Sequence, residues 1–559
     1  MKDFGPAIQK AGEAYRRGDW NGAEIICRRL LRAKTDHFDA LTLLGIVAAQ
    51  TGRAAQAAAL FSRAVRANPR EASAHSNLGN VLRELGQFDE ALSSYDRAIL
   101  CKPDDAEVHY NRGLALQSLQ RWNAALECYD RAVSFNPDYA EAYCNRGLIL
   151  QELGRFDEAL DSYDRAIKIR PDLAEAHSNR GITLRDLGRA DEALQSYDHA
   201  IQLKPDYAEP YCNRGNALKS LNRLPEALAC YERAIQIRSD YAEAHWGLSV
   251  CSLLLGDFAR GWAEHEWRWQ ARDISKRLVT DRTRFAGDWD GNPLQGTLLV
   301  LPEQGVGDEI FYAGMLNDLR TRAASVTVCV DPRLVKLYER SFANMTFAAK
   351  ASITPGQPFA AQVYMASLGR YFRGSPGALE NIKVPYLRAC TGHVERLRAR
   401  LKNGDSLLCG LSWLSNNAYF GADKSMKLAD LAPLLSLPHV DFVDLQYGDT
   451  AAEQAALGAT TGITLKRIAD IDNFNDIDGL AALIAACDIV VTVSNTTAHL
   501  AAALGKPVLV MLPYSAGLLW YWQLDREDSA WYPSARLFRQ ERIGDWTSVI
   551  ERVRLALLR

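Results

Sequence analysis

Small and apolar residues return in the same order every 34 residues along the first half of the chain. SNLGN (76–80), YNRGL (110–114), CNRGL (144–148), SNRGI (178–182) and CNRGN (212–216) fall into register. Each unit adds an Ala-Leu pair (91–92, 125–126, 159–160, 193–194, 227–228) and a Tyr-x-x-Ala step such as Tyr95 and Ala98. Most units close on a proline: Pro69, Pro103, Pro137, Pro171, Pro205. Small residues where two helices cross, an aromatic behind them and a proline ending the second helix predict a stack of helical hairpins.

The period is that of a tetratricopeptide repeat. Looser copies precede the regular ones, near 12–35 and 40–69, and a degraded one follows in EAHWGLSVCSLLLGDFARGW. The pattern predicts about seven repeats and a cap, a right-handed α-solenoid over residues 1–270. One polar position recurs with the packing ones: Asn77, Asn111, Asn145, Asn179 and Asn213. A solenoid aligns equivalent positions, so these amides form either a ladder that grips an extended peptide or local braces within each repeat. One period after Asn213 stands Gly247, where the row stops.

Beyond residue 270 the pattern changes to short apolar runs separated by helical stretches. Tryptophans cluster about this change (Trp262, Trp267, Trp269, Trp289), and a junction over 271–296 leads to TLLVLP, a buried strand, then the tight loop EQGVGD and a helix. SVTVCVDPRL, MTFAAK and AAQVYMASL supply further strands of a first α/β unit, 297–388. After the charged helix GHVERLRARLKNGD, a second unit, 389–559, runs LLCGLSWL, VDFVDLQ, ITLKRIA, DIVVTVS and PVLVMLP. Two doubly wound, Rossmann-like sheets in succession leave a cleft at their strand carboxyl ends, where ligands bind. In VSNTTAHLAAAL the strand Val490–Val493 meets polar residues 494–497 and an Ala-rich helix 497–504. Free amides, hydroxyls and a positive dipole end make that start a phosphate site, with His499 as a further donor; plain helix capping is the competing explanation.

Composition removes other classes. The net charge of −3 and pI near 6.4 give no basic field for nucleic acid. No apolar run reaches the ~20 residues of a membrane span, and the start lacks the apolar centre of a secretory signal, so a cytoplasmic location is expected. Eleven cysteines stand singly, and Cys144 and Cys212 fall at repeat positions as packing residues. Three D-x-D strings (288–290, 470–472, 476–478) read as surface loops, and no metal or cofactor is expected. GVGDEI lacks the third glycine of a dinucleotide fingerprint, and there is no phosphate-binding loop of the G-x-x-x-x-G-K type. The aromatics Trp520, Tyr521, Trp522, Trp531 and Tyr532 read first as packing and second as a stacking surface.

GWAEHEWRW, LPEQGVGDEIFYAG, GLSWLSN, SNTTAHLAAALGKPV and WYPSARLFRQ together resemble bacterial tetratricopeptide proteins whose C-terminal part is similar to glycosyltransferase family 9, the heptosyltransferases. The architecture is also similar to O-linked N-acetylglucosamine transferase, with an asparagine-lined solenoid before a GT-B unit. The resemblance implies a metal-independent inverting transferase that moves a sugar from a nucleotide sugar to a hydroxyl, on a protein acceptor held by the solenoid. Asp308 of GVGD matches the family's general base; Glu309 and Glu303 are the other carboxylates nearby. Ser412, Asn416 and Lys424 match the donor-binding residues after the second unit's first strand, and Thr496, Thr497 and His499 those of the helix start. Asn495 stands where heptosyltransferases usually carry aspartate, which leaves the donor sugar open. The alternative is an interaction scaffold whose sheet units have lost their chemistry.

Overall fold

The computed structural model describes residues 4–276, 284–354, 356–375, 377–380, 382–402, 404–417, 421–514, 519–524 and 526–558. Residues 277–283 of the expected junction lie outside them. The chain divides into two compact units, Met1–Asn213 and Arg214–Arg559.

In the first unit paired helices run from Gly5–Arg16 and Trp20–Ala33 to Ala174–Asp186 and Ala190–Leu203. The turn inside a hairpin needs a left-handed residue, supplied by Gly52, Gly86, Gly154 and Gly188 with φ between 72° and 76°. At the same point of its repeat, Gln120 accepts φ 55°. The first helix crosses the second at a glycine set against an aromatic ring. A Cβ on Gly147 would stand 2.7 Å from the Tyr163 ring, and the same clash recurs at Gly79–Tyr95, Gly113–Tyr129 and Gly181–Tyr197. The arginine of NRG, which the sequence pattern showed without a role, ties neighbouring hairpins. Arg146 reaches back to Asp130 (2.6 Å) and forward to Ser162 Oγ (2.5 Å), and Arg180 does the same with Asp164 and Ser196. Gly147→Ala should cost the flanking helices roughly 1–3 kcal/mol through overpacking, although alanine is the better helix former. Hydrogen exchange of helices 140–152 and 156–169 measures it, and undiminished protection would contradict the packing account.

The second unit starts with the last repeat helices, through Ala242–Leu254 and Phe258–His265, and continues into two parallel sheets. The first contains β1 (Leu294–Leu301), β2 (Ala323–Val330), β3 (Thr346–Ala349) and β4 (Ala361–Tyr364) in the order β3-β2-β1-β4. The second contains β5 (Leu407–Ser412), β6 (Val440–Asp444), β7 (Ile489–Val493), β8 (Val508–Leu512) and β9 (Ala535–Arg539) in the order β6-β5-β7-β8-β9. All pairings are parallel. In both sheets the chain winds outward on one side and then resumes on the other, so β1 and β5 flank the switch points where ligands gather.

ITLKRIA, expected as a strand, makes only an isolated bridge, Val443 with Lys466. Its lysine is drawn aside by Asp441 and the Leu401 carbonyl. The fifth strand is instead β9, ARLFR, whose apolar Ala535, Leu537 and Phe538 face the core beside two arginines. Trp262 seats the last hairpin on the first sheet unit: its Nε1 donates to the Arg373 carbonyl (3.0 Å), and Gly369 leaves room for its ring.

Candidate functional site

A cleft of about 500 Å3 opens between the strand ends of the two sheets, lined by the loops after β1, β2, β5, β6 and β7. From β1 comes Gln304–Asp308, which starts helix Val306–Ala313; from β7 comes Ser494–Thr496, which starts helix Thr496–Ala503. The two helix starts touch because position 307 has no side chain. A Cβ there would lie 3.3 Å from Thr496 Oγ1 and 3.5 Å from His499. Two positive helix ends therefore converge on one cavity.

Asp308 is the third residue of its helix and takes the amide of Gly305, as a capping carboxylate does. Its residue is partly open to the cleft, yet protein surrounds the carboxyl. Burial pushes it up to about 6 against the opposing pull of Lys424. Lys424, only 2% exposed, is pushed down to about 8 by the same desolvation and held up by Asp308. A poised carboxylate and a buried ammonium thus share the cavity, each feeling the other's charge.

The residues expected to hold a donor divide into two groups. Asn416, Lys424 and Thr496 line the cleft, and the amides of Thr496 and Thr497 have no partner among the described residues. Ser412 lies beneath the floor, wholly buried, donating to Gln446 Oε1 (2.9 Å). Asn495 borders the cleft but spends its amide internally. It donates to Ser412 Oγ and the Leu414 carbonyl, and accepts from Thr492 Oγ1 and the Ala498 amide. It is the brace between β5 and the β7 turn rather than a donor to a ligand. Thr497 Oγ1 is buried without a partner and lies off the cleft wall. His499 was expected as a free donor, but both ring nitrogens meet tyrosine hydroxyls: Nδ1 with Tyr532 (3.0 Å) and Nε2 with Tyr521 (3.2 Å). Burial pushes its pKa down to about 3, so the ring is neutral.

The other carboxylates are tied up elsewhere. Glu309 is buried off the cleft and accepts from the Asp331 amide (2.9 Å); burial pushes it up to about 8. Glu303 faces Arg268 in a buried, two-pronged ion pair. Of the D-x-D strings, Asp478 is not on a surface loop: it is a buried helical residue paired with Arg340 and Lys336. Asp290, Asp472 and Asp476 cap local backbone. Trp520, Tyr521, Trp522, Trp531 and Tyr532 are buried around Phe311 and His499, a packed core with Tyr521 showing one edge to the cleft.

Five cleft residues carry no sequence motif. Arg333, two residues past Asp331 at the end of β2, is clamped by Asp331 and lies over the Phe474 ring. Tyr447 follows β6 and faces Phe474 with ring centroids 6.3 Å apart. Asn473 donates to the carbonyls of Asp444 and Gln446, while its own Oδ1 is buried without a partner. Trp246, from the last repeat, forms part of the wall. Arg333 and Tyr447 follow sequence-visible strands, and that placement was the available signal.

Of the asparagine row, Asn111 is buried and Asn77, Asn145, Asn179 and Asn213 are partly exposed. Asn145 Nδ2 donates to Tyr110 of the preceding repeat (2.9 Å), and Asn179 Nδ2 approaches Cys144 Sγ (3.9 Å). These two amides therefore act as inter-repeat braces through their nitrogens.

Family comparisons agree with the repeat pattern. TPR repeat models match residues 79–120, 118–154, 183–222 and 215–250, and further tetratricopeptide repeat models match 9–72, 60–93 and 140–173. The N-terminal 250 or so residues are tetratricopeptide repeats. Protein FlbA of Caulobacter vibrioides is 31% identical over 328 residues, 55% of this chain and 53% of FlbA. The chain thus spans about half the length of that curated relative. Among solved structures, MamA is 25% identical over 29% of this chain and 94% of its own, with a TM-score of 0.28. A tetratricopeptide repeat protein from Parabacteroides merdae is 19% identical over 44% of this chain and 98% of its own, with a TM-score of 0.37. No described helix is long and apolar enough to cross a membrane.

Proposed function

We propose that the second unit is a GT-B-type glycosyltransferase that takes a nucleotide sugar and places the sugar on a hydroxyl with inversion, without a metal. The observation that carries this reading is the pairing, in one cleft, of the Asp308 carboxyl near pKa 6 with the buried Lys424 ammonium and the open helix start at Thr496. The five-segment resemblance to heptosyltransferases points the same way. Asp308 takes the proton of the acceptor hydroxyl as its oxygen bonds to the anomeric carbon. The bond from that carbon to the diphosphate breaks, and the nucleoside diphosphate leaves with its charge stabilised by Lys424 and the amides of Thr496 and Thr497. Tyr447 and Phe474 offer faces for a base, and the lone Asn473 Oδ1 offers an acceptor for a base N–H.

The experiment is incubation with UDP-, GDP-, ADP- and TDP-sugars, scored as nucleoside diphosphate release. Release with none of them, even with cell protein present as acceptor, would leave the second reading, an interaction scaffold. The internal commitment of Asn495 and His499 is what favours that reading.

We also propose that the acceptor is a protein held along the repeats. Asn111→Ala, Asn145→Ala and Asn179→Ala together should weaken acceptor binding at least about tenfold, at roughly 0.5–1.5 kcal/mol per lost hydrogen bond, and spare donor binding. Unchanged acceptor affinity would assign these amides to bracing alone.

A further inference from the structure

The first unit carries a groove of about 420 Å3 between the second helices of its first two hairpins, Trp20–Ala33 and Ala54–Ala67. We propose that it docks an acidic segment of a partner protein, one that sets an apolar side chain between carboxylates.

The repeat register explains why the groove is there. Arg28, Leu44 and Leu60 stand three periods before Asp130, Arg146 and Ser162, the clasp that joins neighbouring hairpins in the regular repeats. One repeat earlier Asp96, Arg112 and Cys128 make the same clasp, with Arg112 Nε 2.8 Å from Asp96 and Nη1 3.0 Å from Cys128 Sγ. At the first pair of hairpins the arginine that would span the gap is a leucine, and the aspartate that would receive it is an arginine. The gap stays open and its charge is reversed.

Its walls follow helical spacing. Arg28, Leu31 and Arg32 form one stripe, and Gln56, Ala59, Leu60 and Arg63 form the facing one. Leu44 and Leu60 are 2% and 6% exposed, so the groove has an apolar floor beneath its arginines. Ile25, 60% exposed, stands one turn before Arg28 on the same side of the helix and extends the apolar surface outward.

Charge selects the occupant. No carboxylate is among the described residues that line the groove. Glu24, one turn before Arg28, already serves both Arg28 and Arg53 (2.7 Å each). Arg63 spends one N–H on the Thr35 carbonyl (2.6 Å) and, like Arg32, has no ion pair among the described residues. Gln56 is in register with Glu90, Glu158, Glu192 and Glu226, so a position that is acidic in most later repeats is neutral here. Residues 1–70 hold twelve Lys and Arg against six Asp and Glu, whereas the whole chain holds 65 against 68. A cationic end on an otherwise acidic chain draws in an acidic segment, and guanidinium groups pair with carboxylates in two-pronged geometry. The apolar floor favours a peptide over a phosphate polymer, whose backbone would leave it uncovered. The groove is built on second helices and the asparagine row on first helices, so the two are separate sites.

The inference stands apart from the transferase reading, and its assay measures no turnover. A short fluorescein-labelled peptide of Glu, Asp and Leu, and its counterpart with Lys in place of the acids, are titrated into the whole chain and read by anisotropy at low and physiological salt. The acidic peptide should bind, more weakly as salt rises, and the basic one should not. Arg32→Glu and Arg63→Glu should each weaken binding at least about tenfold. Arg131→Glu, at the register position of Arg63 two repeats on, should change it less than about twofold. Arg28→Asp combined with Leu44→Arg rebuilds the clasp and should close the groove, with a similar tenfold loss. Arg32 is exposed, so its variant keeps the test valid should the double variant disturb folding. The proposal is overturned if the acidic peptide does not bind, if Arg32→Glu binds like the parent, or if Arg131→Glu weakens binding as much, which would leave net charge alone. It is also overturned if phosphatidylserine vesicles or oligo-dT bind more tightly than the peptide and lose that binding in Arg32→Glu, or if Arg32→Glu abolishes a self-association of the chain, which would assign the groove to a second copy.

Discussion

Asp308→Asn is expected to lower nucleotide-sugar turnover by roughly 10²–10⁴-fold, the usual worth of a positioned general base, with donor affinity nearly unchanged. The amide keeps the size of the carboxyl but cannot take the acceptor's proton. The pH profile should change with it. In the parent protein the rate should fall as pH drops through about 6, where the carboxylate is protonated, and fall again as pH rises through about 8, where Lys424 loses its charge. The variant should lose the acid limb. Stability moves the other way. Folding raises this carboxyl's pKa, so the native state is favoured while the group is protonated and penalised once it is charged above pH 6. A neutral amide should therefore melt no lower than the parent at pH 7. A variant that is inactive but also unfolded would say nothing for catalysis. One that is folded and fully active would remove Asp308 as the base.

The repeat half was legible because its signal is local and periodic. Gly147 and Tyr163 lie 16 residues apart, and the 34-residue register repeats their contact until it is visible without coordinates. The strand–loop–helix starts at Asp308 and Thr496 were legible for the same reason, since each occupies one short segment. The fate of the polar side chains was not. Asn495 is consumed by Ser412 and Leu414, which are more than 80 residues away, and His499 by tyrosines from a later segment. Motif spacing fixes where such a side chain starts and says nothing about which distant partner reaches it first. Arg333, Tyr447 and Asn473 were missed for the complementary reason: each is unremarkable in its own segment and gains meaning only where the loops of the two sheets meet. ITLKRIA and ARLFR show a further limit. ITLKRIA reaches the β6 edge yet makes a single bridge, whereas ARLFR pairs along the whole of β8, a difference that neither run shows on its own.

The largest stability effect should come from Arg268, an arginine of GWAEHEWRW that the sequence offered only as part of a resemblance. Its guanidinium is wholly buried and donates to Glu303 through Nε (2.7 Å) and Nη2 (3.2 Å), to Ser367 Oγ (2.8 Å), to the His265 carbonyl and to Glu266. Glu303 Oε1 also accepts from the Ala366 amide (2.7 Å). The end of the last repeat hairpin, the second residue after β1 and the turn after β4 are thus fastened at one point, directly before the loop that carries Asp308. Arg268→Met should cost about 3–5 kcal/mol, because it leaves the Glu303 charge buried with no counter-charge. Adding Glu303→Gln removes that charge and keeps an acceptor for Ala366, so the double variant should recover most of the loss. Hydrogen exchange of the β1 amides and the melting temperature measure both. If the single variant loses less than about 1 kcal/mol, or the double variant is no better than the single, then packing of Trp262 on Gly369 rather than this ion pair holds the hairpin to the sheet. Full recovery would mean that the pair's role is to orient the Gln304–Asp308 loop, and its loss should then appear in turnover even where stability is restored.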